Sequence, residues 1–106
     1  MRTGITIIAF ITAKAGMQQQ VREVLLDLVT QTRKEKGCVN YDLHQSQADS
    51  KEFVMYENWE SAADLDAHAR SEHLVAFGKA AHGLLERPAE ITKWDMVSEL
   101  AQHSPK

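Results

Sequence analysis

The chain has 106 residues, of which 43% are hydrophobic and 25% charged, a composition that suits one globular domain with a modest core. A formal net charge of −3, without any long run of like charge, excludes strong electrostatic attraction to nucleic acid or to an anionic membrane. Cys38 is the only cysteine, which excludes an intramolecular disulfide and a zinc site built on paired thiolates, and fits a reducing, cytoplasmic location.

The apolar run near the N-terminus, Ile5 to Thr12, is interrupted by threonines and rich in β-branched residues, so it predicts a buried strand rather than a signal peptide. Gly16 punctuates a turn. From Met17 to Lys36 the period changes: Met17, Val21, Val24, Leu25, Leu28 and Val29 recur at helical spacing, and Gly37 follows basic residues as a stop signal. Val39, Tyr41 and Leu43 alternate with polar residues as a second strand. A turn-rich connection, SQADSKE, leads into a third strand from Phe53 to about Trp59. Ser61 and Asp64 open a second helix that runs to about Leu85, with Ser71 placed to cap a new turn inside it and Pro88 to end it. A fourth strand is predicted from Ile91 to Val97, before a polar, frayed tail from Glu99 to Lys106. Residues 1–98 thus form one domain of order β-α-β-β-α-β, the α+β ferredoxin-like arrangement, with both helices on one face of an antiparallel sheet.

Both parities of the strands are apolar. Ile5, Ile7 and Ile11 share the first strand with Ile8 and Phe10; Phe53 and Met55 share the third with Val54 and Tyr56; Ile91 and Val97 share the fourth with Trp94 and Met96. Helices cover one face only, so a second copy of the chain is expected to cover the other, giving a homodimer packed sheet to sheet.

No dinucleotide fingerprint, P-loop or nucleophile elbow is present, which argues against a Rossmann-bound nicotinamide or flavin. His68 and His73 are five apart, more than a third of a turn out of line on an unbroken helix. Even with Glu72 or His44 added they make an incomplete ligand set, so no metal is expected. Each histidine is either a hydrogen-bonded or solvated structural group or a proton acceptor working near neutral pH. Trp59, at the end of a strand, is placed to floor the gap between sheet and helix. Glu57 shares its parity among apolar neighbours, and so needs a cation from Arg70, Lys93 or the partner chain, or else an elevated pKa; a structural salt bridge is the expected outcome rather than a catalytic acid. Cys38 is expected to be inert.

With these motifs in place, the segments EKGCVNYDL (Glu35 to Leu43), FVMYENWES (Phe53 to Ser61) and LDAHARSEHLVAF (Leu65 to Phe77), in this order and spacing, resemble the antibiotic-biosynthesis monooxygenase domain family, including its quinol monooxygenase-like members. The resemblance covers nearly the whole chain. It implies a dimeric α+β barrel with a pocket between sheet and helices, and oxygenase chemistry on electron-rich phenols or quinols without metal, haem or flavin. It also implies His68 or His73 as the base and Trp59, Tyr56, Met55, Leu65 and Phe77 around a small aromatic substrate, with molecular oxygen as co-substrate. Met55 and Leu65 stand where the polyketide-anthrone oxygenases of the family carry asparagine and tyrosine, and the first strand lacks the asparagine of the haem-degrading relatives. Two alternatives stay open: an isomerase of a small phosphorylated carbonyl compound, and a non-catalytic dimer that holds a small ligand.

Overall fold

The computed structural model describes residues 4–99; the predicted tail beyond residue 99 and the first three residues lie outside them. The elements are β1 (Ile5–Thr12), α1 (Gln18–Thr32), β2 (Cys38–Gln45), β3 (Glu52–Trp59), α2 (Ala62–Ala69), α3 (Glu72–Leu84) and β4 (Glu90–Trp94). The sheet runs β2-β3-β1-β4 with every pairing antiparallel, which is the expected ferredoxin-like α+β fold. Among the described residues no helix is long and apolar enough to cross a membrane.

Strand register sorts the side chains. Ile5 pairs with Trp59, Ile7 with Glu57, Ala9 with Met55 and Ile11 with Phe53, so these positions share the face that the helices cover. From α1, Val21, Leu25, Leu28 and Val29 pack onto that face, and Trp59, Phe53, Ile7, Leu25 and Met55 are all but fully enclosed. Thr6, Ile8, Phe10, Val54, Tyr56 and Trp94 have the opposite parity and point away.

Three boundaries differ from the expectation, each for a local reason. A bulge between Cys38 and Asn40 takes Val39 out of the row that holds Tyr41, leaving it exposed. β4 stops at Trp94, opposite Thr6, because β1 has almost no partner residues left to offer Met96 and Val97. α1 ends at Thr32 rather than Lys36, and the chain tightens into i→i−3 turns: Lys34 N–H donates to Gln31 O, Glu35 N–H to Thr32 O and Cys38 N–H to Glu35 O. That tightening swings Glu35 off the solvated face of the helix and toward α2 and α3.

The predicted second helix is two helices. Ser71 divides them: its Oγ donates to His68 O at 2.7 Å, closing α2, and accepts from Leu74 N–H at 3.3 Å, opening α3. Ser61 caps α2 as predicted, accepting from Asp64 N–H. Gly37, at φ +81°, joins this corner to the end of α1: its carbonyl accepts from Glu60 N–H at 2.9 Å, and a Cβ on it would overlap the Asp64 side chain.

Gly16 offers an internal comparison, because it too has a positive φ (+86°) but stands in open space. Urea unfolding of Gly37→Ala is expected to show a loss of about 1–3 kcal/mol, from the left-handed backbone together with the overlap with Asp64. Gly16→Ala should lose less. Equal losses would contradict the tight packing at Gly37.

Candidate active site

Between the inner face of the sheet and the helices lies a cavity of about 160 Å³, lined by apolar side chains with only Tyr41, Glu57 and His68 as polar members. Met55, Leu65 and Phe77, three of the residues expected around a ligand, line it. Trp59 is fully buried at the end of β3, and its ring lies against that of His68, with centroids 4.6 Å apart and a 34° tilt. Tyr56 is a correction. Its strand parity places it opposite Ile8 on the other face of the sheet, 37% exposed and away from the cavity.

His68 and His73 converge in a way that a continuous helix would forbid. Because the chain resets at Ser71, His68 from α2 and His73 from α3 both turn to Glu35. His68 Nδ1 lies 2.8 Å and His73 Nε2 2.6 Å from the same carboxylate oxygen, Oε2. All three side chains are largely enclosed, His68 most of all. His68 thus lines the cavity on one side of the carboxylate, while His73 lines an outer groove between α1 and α3 beside Asp27, Gln31 and Glu72. Burial pushes the His68 imidazole toward its neutral form, and its hydrogen bond to Glu35 partly offsets that push. Tyr41 completes the surroundings edge-on to the His68 ring, with centroids 5.4 Å apart; burial raises its phenol well above the ordinary value and keeps it protonated.

Glu57 is held without a cation. Arg70 is spent on Asp66 at 2.9 Å, and among the described residues Lys93 makes no ion pair; the one bond to the carboxyl is from Trp59 Nε1–H to Oε1, at 2.9 Å. The expected salt bridge is therefore replaced by the other option, an elevated pKa. Burial pushes Glu57 up to about 7, against the lowering effect of the Trp59 N–H and with a contribution from the negative charge of Glu35. Cys38 is pushed up to about 11, chiefly by burial and then by Glu35 and Glu57, so its thiol stays protonated at neutral pH and is a poor nucleophile.

Glu35 is the member that the sequence did not single out. With His68 and His73 it forms a group of three potential metal-binding side chains whose donor atoms lie within 4.8 Å of one another. The separations of 2.6 and 2.8 Å from oxygen to nitrogen are those of hydrogen bonds. Neighbouring donors around a tetrahedral ion with bonds of about 2.0–2.1 Å would stand farther apart, roughly 3.3 Å. As arranged, the three side chains share hydrogen bonds through Glu35 Oε2. His44, considered as a further ligand, sits opposite Val54 on the outer face of the sheet. A usable signal for Glu35 was present: it lies two residues before the glycine that the sequence marks as a helix stop, where a carboxylate otherwise opposes the helix dipole.

Comparison with known proteins agrees with this architecture. The antibiotic biosynthesis monooxygenase family matches residues 4–80. A Mycobacterium tuberculosis protein named "putative monooxygenase Rv0793" is 34% identical over 92 residues, spanning 87% of this chain and 90% of its own length. "Probable quinol monooxygenase YgiN" of Escherichia coli is 35% identical, covering 74% of this chain and 86% of its own. Among solved structures, PA3566 from Pseudomonas aeruginosa superposes with a TM-score of 0.86 at 37% identity, over 92% of this chain and 98% of that one. With the family matched over β1 to β3, the first two helices and both histidines, the chain belongs to the antibiotic biosynthesis monooxygenase family.

Proposed function

We propose that this protein is a cofactor-independent monooxygenase that oxidises a small, single-ring quinol or phenol with molecular oxygen, using His68 as the base. The observation that carries this reading is an apolar-lined cavity of single-ring size whose wall holds His68, pushed by burial toward its neutral form, and Glu57, pushed by burial up to about 7. An apolar cavity of about 150 Å³ is large enough to hold benzene, so the 160 Å³ here favours one ring over the polycyclic substrates of other family members. His73 faces the outer groove, which leaves His68 as the base that a bound ring would meet.

The chemistry balances without a cofactor. For a hydroquinone, the substrate plus O₂ gives a hydroxyquinone plus water, and the substrate supplies all four electrons. His68 takes a phenolic proton, the electron-rich anion reduces oxygen by one electron, and recombination forms a ring-bound peroxide. Loss of water from that peroxide leaves the new carbonyl, and the proton held on His68 returns to the departing oxygen. Protonated Glu57, anchored through Oε1 by Trp59, donates a hydrogen bond to the developing oxyanion from its other oxygen. The isomerase alternative is disfavoured because the cavity lining contains no Arg or Lys to meet a phosphate. The purely ligand-holding alternative is disfavoured because the histidines are tied to a carboxylate rather than to backbone carbonyls.

The same proposal includes a homodimer. Phe10, Tyr56 and Trp94 are 43%, 37% and 53% exposed on the outer face of the sheet, with Ile8 and Val54 between them, an apolar surface suited to self-association. Sedimentation equilibrium should read a dimer at micromolar concentration and a shift to monomer for Phe10→Glu. A wild-type monomer would remove the dimer from the proposal.

Oxygen consumption over a panel of mono- and polycyclic hydroquinones should be fastest with single rings, and kcat should fall about 10²–10⁴-fold in His68→Ala. No oxygen uptake with any ring that the protein binds would sink the proposal. Glu57 makes a separate prediction about stability. Below pH 4.5 both folded and unfolded states hold its proton; between 4.5 and about 7 only the unfolded state releases it, so stability declines as pH rises through this window. Relative to Glu57→Gln, the wild type should lose up to about 3 kcal/mol over that range in denaturant titrations. Parallel pH curves would show that Glu57 is ionised at neutral pH after all.

A further inference from the structure

We infer that Glu35 is a positioning residue: its carboxylate holds the Nδ1–H of His68 so that Nε2 offers its lone pair to the cavity, and it balances the charge formed when His68 takes a proton. This rests on the proposed use of His68 as a base, but the arrangement itself is tested below without substrate.

The tautomer follows from the sharing of one oxygen. Glu35 Oε2 is within hydrogen-bond distance of two imidazole nitrogens from different helices. A carboxylate oxygen has no proton to give, so toward two ring nitrogens it can only accept. An ionised Oε2 accepts from both, so the consistent arrangement is His68 protonated on Nδ1 and His73 on Nε2. Among the described residues His68 Nε2 has no hydrogen-bond partner, while its ring lines the cavity. A carboxylate on one ring nitrogen and a free lone pair on the other is the division of labour that lets an imidazole act as a general base.

The groups around His68 support this assignment. Tyr41 from β2 stands edge-on and protonated, and Glu57 from β3 shares the cavity wall. Trp59 covers one side of the ring, and His73 from α3 has its ring 6.2 Å away. On α2 itself Asp66 and Arg70 neutralise each other at the surface, and Asp64 is taken up by the helix cap. Glu35 is thus the one group hydrogen-bonded to His68 that can offset a charge on its ring. His73 acts in the opposite sense: by competing for the same oxygen, and by its own charge when protonated, it makes His68 harder to protonate.

Opposite signs give the test. Nitrogen-15 NMR of the full chain, labelled at histidine and without substrate, should show neutral His68 as the Nδ1–H tautomer. Glu35→Gln should lower its protonation midpoint by about one pH unit or more, Glu35→Asp should restore part of that shift, and His73→Ala should raise the midpoint. A merely structural role for Glu35 would not move the midpoint in opposite directions in the two variants. Circular dichroism identifies any variant that fails to fold; should Glu35→Gln be lost this way, the wild-type tautomer and His73→Ala still decide. An Nε2–H tautomer, or a midpoint unmoved in folded variants, overturns the inference. With an oxidisable quinol in hand, Glu35→Gln should lower kcat by about 10²-fold or more while KM changes little. If the NMR pattern holds but no quinol is turned over, the proposed reaction fails and the orientation of His68 stands.

Discussion

A single carboxylate oxygen ties the site together. Oε2 of Glu35 receives one histidine from α2 and another from α3, and Glu35 itself comes from the tightened turns after α1. Three helical segments therefore meet at one atom. Each must end or begin where it does for the contacts to form: α1 must tighten before Gly37, and α2 must break from α3 at Ser71. The Ser71 hydroxyl, satisfying the last turn of one helix and the first of the next, makes that break inexpensive.

The second constraint is the polarity inside an apolar chamber. Glu57 lies on the helix-covered face between Tyr41 and Ile7, with only an indole N–H for company. An isolated buried carboxylate is costly, and the protein meets that cost by letting the group hold its proton to near neutral pH. The neutral form of His68 is favoured for the same reason. Burial thus pushes an acid and a base toward their uncharged states in one small space, a pattern typical of functional sites and a drain on stability. Trp59 links the two: its N–H fixes Glu57 and its ring packs on His68.

Much of this was legible in the sequence. Element order and the caps at Ser61 and Ser71 follow from periodicity and turn chemistry, which are local, whereas Trp59, expected to floor the gap, is buried behind His68 and does not line the cavity. Met55, Leu65 and Phe77 line the sheet–helix cavity. What local pattern could not give was convergence. His68 and His73 are misaligned on a single helix, and only the change of axis at Ser71 turns both toward Glu35, 33 and 38 residues earlier in the chain. Tyr56 was misplaced for a related reason. A strand with apolar residues on both faces does not declare which face lines a cavity, and register alone puts Tyr56 outside. The environment of Glu57 was half visible: its apolar neighbours announced a problem, but which of two solutions applied depended on where Arg70 and Lys93 finally pointed.

The central claim is that a single aromatic ring occupies the cavity against His68. A crystal structure of the protein prepared anaerobically with methylhydroquinone tests it most directly. The account predicts ring density among Met55, Leu65 and Phe77, with one hydroxyl within hydrogen-bond reach of His68 Nε2 and Nδ1 still bound to Glu35. A ring bound only outside the sheet–helix chamber, or a chamber left empty at saturating ligand, would contradict it.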